Sequence, residues 1–199
     1  FRSKREGKPT DEAILAGRVI DRTIRPLFNQ QMDYGVQVIA TVLSMDDSID
    51  PGILAVNGAS LVLAASEIPW AGPVGAIRMI EKDGGIILNP SQKTRDEGFD
   101  YDLIVCGKDG KINMIEAKSY QTPDAKIADA LGKASAEISK IEEWQKNIVK
   151  EIGKEKRDPE VGKVSDEVVS LFKEKIRPIL HDHVMTNTPG KAKMEELKK

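Results

Sequence analysis

The apolar positions of this 199-residue chain change period several times, and each change predicts an element. Between Asp11 and Arg25, the residues Ala13, Leu15, Ala16, Val19, Ile20 and Ile24 recur at helical spacing. Thr10 predicts the N-cap, Asp11 and Glu12 suit the positive end of the helix dipole, and Pro26 predicts the stop. The stretch VQVIATVLSM (36–45) is continuous and β-branched, which predicts a buried strand. DDSIDPG reads as a turn. ILAVNGASLVLAAS (53–66) has helical length and is apolar nearly all round, so a well-buried helix is expected. A Pro/Gly loop follows at 68–75. Short strands are expected near 75–81, 85–88, 102–107 and 111–117, with KDGG and GKDGK closing two hairpins.

From Thr122 the pattern becomes helical and stays so. Thr122 predicts a cap, with Pro123 at the first helical position, where its missing N–H costs nothing. Ile127, Leu131, Ala134, Ile138, Ile141, Ile148 and Ile152 form one seam, which predicts an amphipathic helix of roughly 45 Å ended by Gly153. KEKRDPEVGK (154–163) reads as a linker. It divides a domain at 1–153 from a helical segment at 154–199. In that segment Ser165 predicts the cap of a helix through Val168, Val169, Phe172 and Ile176, interrupted by Pro178. The tail from Asn187 is charged and weakly patterned, and no internal repeat is present.

Composition narrows the class. Hydrophobic residues make up 40%, enough for a core, but aromatics only 5%, so Ile, Val, Leu and Ala must fill it. The 31% charged fraction is nearly balanced, which argues against a disordered chain. No apolar run approaches the ~18–20 residues that span a bilayer, so no membrane partner is expected. The start is basic and polar, with no apolar core of a signal peptide behind it. The single Cys106 excludes an internal disulfide and a Cys-rich zinc site, and fits a reducing compartment. A cytoplasmic location is therefore expected. The first residue is Phe1, not Met, which points to part of a longer protein.

Charge adds the one strong asymmetry. Residues 1–25 hold Arg2, Lys4, Arg5, Lys8, Arg18, Arg22 and Arg25 against Glu6, Asp11, Glu12 and Asp21. That is an excess of three positive charges in a chain of net charge −2. At 100° per residue, Arg18, Arg22 and Arg25 fall within an arc of about 60° on their helix. In the preceding loop Lys4, Arg5 and Lys8 stand close enough to meet successive phosphates, Gly7 lets the backbone bend, and Phe1 could stack on a base. The seven basic residues are the candidate contacts to single-stranded nucleic acid. The competing reading is a salt-laced surface in which Asp21 pairs with Arg18 or Arg25. His181 and His183 would diverge on a helix and could share a metal only on a strand. Cys106 in DLIVCG reads as a small core residue, and GKDGK as a hairpin turn without the spacing of a phosphate-cradling loop. No catalytic constellation and no metal site are assigned.

Several uncommon strings occur in a telling order: KREGKPTDEAILAGRVIDRTIRPLF, VQVIATVLSMD, GASLVLAASEIPWAGPVGAIR, ILNPS and DLIVCGKDGKINMIEA. From Phe1 to Gly153 the chain resembles the first core domain of the polynucleotide phosphorylase (polyribonucleotide nucleotidyltransferase) family, and the later helices resemble that family's helical linker domain. The resemblance implies an α/β (α+β) ribonuclease PH-like core, of the ribosomal protein S5 domain 2-like type, followed by a helical segment. It implies phosphorolytic 3′-to-5′ exoribonuclease chemistry in mRNA degradation, consuming inorganic phosphate and releasing nucleoside diphosphates, in a homotrimer around an RNA channel. It places magnesium and the phosphate site in a second core outside this chain. The family's basic loop corresponds to Lys4, Arg5, Glu6, Gly7, Lys8 and Pro9, and its helix arginines to Arg18, Arg22 and Arg25. The family has two adjacent aromatics before the basic pair, where this chain has Arg2 and Ser3. Two alternatives remain: a non-catalytic RNA-binding or assembly module, and a stand-alone tRNA-trimming ribonuclease PH.

Overall fold

The structure, a computed structural model, describes residues 9–159 and 164–184, with the backbone alone for 181–184. The chain divides into two units, Phe1–Glu160 and Val161–Lys199.

Two Asp-Gly turns build the sheet of the first unit. Strands β1 (Gly75–Lys82) and β2 (Gly85–Leu88) are joined through Asp83 and Gly84, with φ of 52° and 74°. Strands β3 (Tyr101–Lys108) and β4 (Lys111–Ser119) are joined through Asp109 and Gly110, with φ of 49° and 72°. Positive φ at both central positions is the tight hairpin geometry that matches strand twist, and Asp-Gly adopts it readily. The four strands are antiparallel in the order β2-β1-β3-β4, with Ile77 opposite Val105 and Met79 opposite Leu103.

Helices cover both faces of this sheet. One face carries Ile77, Met79, Tyr101, Leu103 and Val105, which pack on Ala130, Ala134 and Ile138 of α4 (Asp124–Ile152). The approach is close: a Cβ on Gly75 would lie 3.0 Å from the Ile138 carbonyl oxygen. The other face carries Ala76, Cys106 and Met114, which meet Val19 of α1 (Asp11–Ile24) and Ile53 and Val56 of α2 (Pro51–Ala65). The central strands β1 and β3 are thus buried on both faces, which is why they read as near-continuous apolar runs. A third cluster, around Trp70 and Val74, joins the C-terminal ends of α1 and α2.

Buried polar groups tie these layers. Asp50 caps α2, accepting from the amides of Gly52 and Ile53 at 2.8 and 3.4 Å. Its other oxygen meets Arg78 at 2.6 Å, and Arg78 also holds Asp102 on β3. Burial pushes the Asp50 carboxyl up, but the Arg78 guanidinium and the two amides outweigh it, so its pKa lies below the usual value. The fully buried Gln145 accepts from the Ser60 hydroxyl and donates to the Val74 carbonyl, both at 2.7 Å. The Ser60 hydroxyl accepts in turn from the Val74 amide.

Several expectations are corrected. Residues 36–45 form no strand. They keep a strand-like alternation, with Val36, Val38, Ala40 and Val42 lining a cleft beside α1 while Ile39 and Leu43 are 75% and 93% exposed. A β pattern becomes a strand only when a neighbour supplies the ladder, and neither β2 nor β4 pairs with this segment. The α2 helix is buried on one side only, leaving Leu54 and Val62 exposed, because no described element covers its other side. Thr122 does not cap α4. Its hydroxyl donates to the Asp100 carbonyl, and Pro123 is the N-cap residue. The buried face of α4 turns to Glu142 and Gln145 in its second half, while Ile152 is exposed. A short helix, α3 (Gln92–Asp96), is added between β2 and β3, capped by the Ser91 hydroxyl.

In the second unit Ser165 caps α5 (Asp166–Leu171) as expected, accepting from the Val168 amide. Pro178 does not interrupt the helix. A π-helical turn, Phe172–Ile176, precedes it and leads directly into α6 (Arg177–Val184). Widening by one residue just before the proline is a common way for a helix to tolerate the missing N–H.

Candidate nucleic-acid interface

The arginine helix is formed locally and then anchored from outside. At its start the Thr10 hydroxyl accepts from the Ala13 amide at 3.2 Å, and Asp11 and Glu12 occupy the first turn. At its end the carbonyls that a helix leaves unpaired find three separate partners. Asn113 on β4 donates to the Thr23 carbonyl at 3.1 Å, the Trp70 indole to that of Ile24 at 3.0 Å, and the Gln30 amide to that of Arg25 at 3.2 Å. Inside, Val19 and Ile24 are buried with Thr23, whose hydroxyl returns to the Val19 carbonyl. The helix is therefore fixed against the sheet edge and the 68–74 loop at the end where its arginines cluster.

Arg18 and Arg22 on the exposed side of α1 and Arg25, its C-cap residue, come together over two turns or about 10 Å. Their partners differ. Arg25 grips Asp21 one turn earlier through Nε and Nη2, at 2.6–2.9 Å. Arg22 faces Glu116 on β4 at 3.7 Å. Among the described residues no ion pair holds Arg18. Exposed pairs of this kind contribute only about 0–1 kcal/mol, so a phosphate can replace either carboxylate at little cost. Arg22 and Arg25 also border a cleft of about 400 Å³ between α1 and β4, and Arg25 reaches a second of about 720 Å³ beneath residues 36–42.

Arg2, Lys4, Arg5 and Lys8, with Phe1 and Gly7, lie outside the described residues. So do the side chains of His181 and His183, whose backbone is helical in α6. Cys106 is fully buried in the α1/α2 face of the sheet, and burial pushes its thiol up to about 11. GKDGK is the β3–β4 turn. Among the described residues no group of three or more His, Cys, Asp or Glu side chains is placed to hold a metal.

Sequence reasoning missed the groups that position the stripe: Trp70, Asn113 and Glu116. Each acts across 46 to 94 residues of chain, and nothing local in their sequence marks them. The alternation of β4 places Glu116 on the same face as Met114, the face toward α1, and was the one available signal.

Residues 1–69 match the 3′ exoribonuclease family, domain 1. The polyribonucleotide nucleotidyltransferase of Caldicellulosiruptor saccharolyticus is 41% identical over 196 residues, 98% of this chain and 27% of that protein. The one from Clostridioides difficile is 42% identical over 171 residues, 86% of this chain and 24% of that protein. Among solved structures, the Archaeoglobus fulgidus exosome with RNA bound to the active site is similar, with a TM-score of 0.53 at 18% identity, over 72% of this chain and 65% of that one. Rice (Oryza sativa) Rrp46 is similar with a TM-score of 0.51 at 14% identity, over 72% of this chain and 68% of that one. The fold is thus ribonuclease PH-like, and the chain is a relative of the polyribonucleotide nucleotidyltransferases that spans about a quarter of their length.

Proposed function

We propose that this chain is the RNA-guiding part of a polyribonucleotide nucleotidyltransferase, which shortens RNA from its 3′ end by phosphorolysis. The observation that carries this reading is the anchored stripe of Arg18, Arg22 and Arg25, in a stretch matched by an exoribonuclease family. In the full reaction an oxygen of inorganic phosphate attacks the terminal phosphorus. The 3′ oxygen of the preceding nucleotide leaves and takes a proton, and a nucleoside diphosphate is released. Two anions must meet in that step, which requires positive groups fixed around the transferring phosphoryl.

The part played here is binding and orientation. The stripe holds the RNA backbone by its phosphates, independently of sequence, and α1 keeps the three guanidinium groups in line. Phosphate, nucleoside diphosphates and magnesium belong to the proposed full-length enzyme, with ligands outside this chain. A homotrimer in the cytoplasm is part of the same proposal. No helix among the described residues is long and apolar enough to cross a membrane.

The test uses 3′-labelled RNA with phosphate and magnesium. The full-length protein is expected to release labelled nucleoside diphosphate only when phosphate is present, and this chain alone to bind the RNA without cleaving it. Phosphate-dependent release by this chain, abolished by a substitution within it, would overturn the division of labour. No release by the full-length protein would leave the non-catalytic binding module as the reading.

A further inference from the structure

The C-terminal end of α2 lacks both a basic last turn and a left-handed glycine cap, and the next residue, Ser66, is extended. A helix nevertheless leaves its last four carbonyls without internal partners. Here the Ser66 amide and hydroxyl satisfy those of Val62 and Leu63. The rest are met by a segment some 90 residues away in sequence.

That segment is 154–157, which follows the end of α4. The Lys156 ammonium donates to the carbonyls of Leu63, Ala64 and Ser66 at 2.8, 2.9 and 2.6 Å. The Lys154 amide donates to the Ala65 carbonyl at 2.9 Å, and the Arg157 amide to that of Glu67 at 2.8 Å. The Arg157 guanidinium pairs with the Glu67 carboxylate. Lys156 thus brings a full positive charge to the negative end of the α2 dipole. Yet residues 154–157 are all exposed and none of them is apolar. Hydrogen bonds and one ion pair hold the strap.

We propose that residues 154–157 are a latch, with Lys156 as its bolt, which closes on the end of α2 and opens without unfolding the unit. Closed, the segment is held against the end of α2; open, it is released from Gly153 onward, which frees four residues and up to about 13 Å of chain.

Amide hydrogen exchange on this chain tests the proposal, comparing the unaltered protein with Lys156→Met, Lys156→Arg and Glu67→Gln. In Lys156→Met the Lys154 and Arg157 amides should exchange about tenfold faster or more, the scale of lost hydrogen bonds to a charged group. Lys156→Arg should keep most of the protection. Glu67→Gln should affect Arg157 more than Lys154. The Leu103 and Val105 amides in β3 should be unchanged in all three. Unchanged exchange at Lys154 and Arg157 in Lys156→Met would mean that Lys156 does not hold the strap. Faster exchange in β3, or loss of folding, would mean that the segment is part of the cooperative core and not a latch.

Discussion

Leu103 and Leu43 are the same side chain in two apolar, β-branched stretches, yet Leu103 is fully buried and Leu43 is 93% exposed. Leu103 lies on β3, between two hydrogen-bonded neighbours and under α4. Leu43 lies at a bend in a segment with no ladder, and only its neighbours face the cleft. The same contrast runs through the helices. One side of α2 packs on the sheet and on α4, while Leu54 and Val62 on its other side face solvent. A local apolar pattern sets how a segment is disposed to bend or extend. Whether it is buried depends on what else is present to cover it. Both faces of the central strands are covered among the described residues, by α4 on one side and by α1 and α2 on the other, whereas the outer side of α1, α2 and 36–45 is not.

The largest effect expected from this contrast is at the sheet–α4 seam. Ile138→Asp places a charge in a fully packed site and should cost more than about 4 kcal/mol, enough to prevent folding. Two residues on, Lys140→Asp removes an exposed pair with Glu137 and sets like charges together, for a loss of about 0.5 kcal/mol. Thermal midpoints of the two variants decide it, and equal midpoints would mean that α4 presents a different face.

Next comes the charged link between α2 and the sheet. Arg78→Met leaves Asp102, only 6% exposed, without its partner and should cost about 3–5 kcal/mol in denaturant unfolding. Its pH dependence is the sharper readout. With its folded pKa held below the usual 3.8, Asp50 stabilises the unaltered protein above that value, and this contribution is lost as pH falls through the folded pKa. In Arg78→Met Asp50 loses its 2.6 Å partner and keeps only the cap amides and the more distant Arg95, at 3.8 Å, against burial, so its pKa rises. Acidification toward pH 4 should then recover part of the variant's deficit. A deficit constant with pH would mean that Arg78 is not what holds Asp50 charged.

Legibility in the sequence followed the range of the interactions. The Thr10 cap, the two Asp-Gly hairpins, the Ser165 cap and the Ile138 seam depend on residues within a few positions of one another, and all were readable. The arginine stripe was readable for the same reason. The ladder that 36–45 lacks, the burial of Glu142 and Gln145, and the Arg78 bridge from Asp50 to Asp102 depend on partners 24 to 85 residues away. Thr122 shows how near the limit lies. It has the right residue type one position before a helix-starting proline, but the Asp100 carbonyl takes its hydroxyl instead.

The smallest effect tests the exposed side of the comparison. Leu43→Ser should change stability by no more than about 0.5 kcal/mol and lower the binding of an apolar dye, whereas Leu103→Ala should cost about 2–5 kcal/mol. A large loss at Leu43 would show that this segment is covered after all.

The arginine stripe is tested most directly by the salt dependence of single-stranded RNA binding to this chain, with Arg18, Arg22 and Arg25 each changed to Gln, singly and together. Each arginine that meets a phosphate should contribute about 0.7 to the slope of log affinity against log salt. The triple variant should bind more weakly with a correspondingly shallower slope, at an unchanged thermal midpoint. An unchanged affinity and slope in a folded triple variant would contradict the assignment and make the stripe ordinary surface.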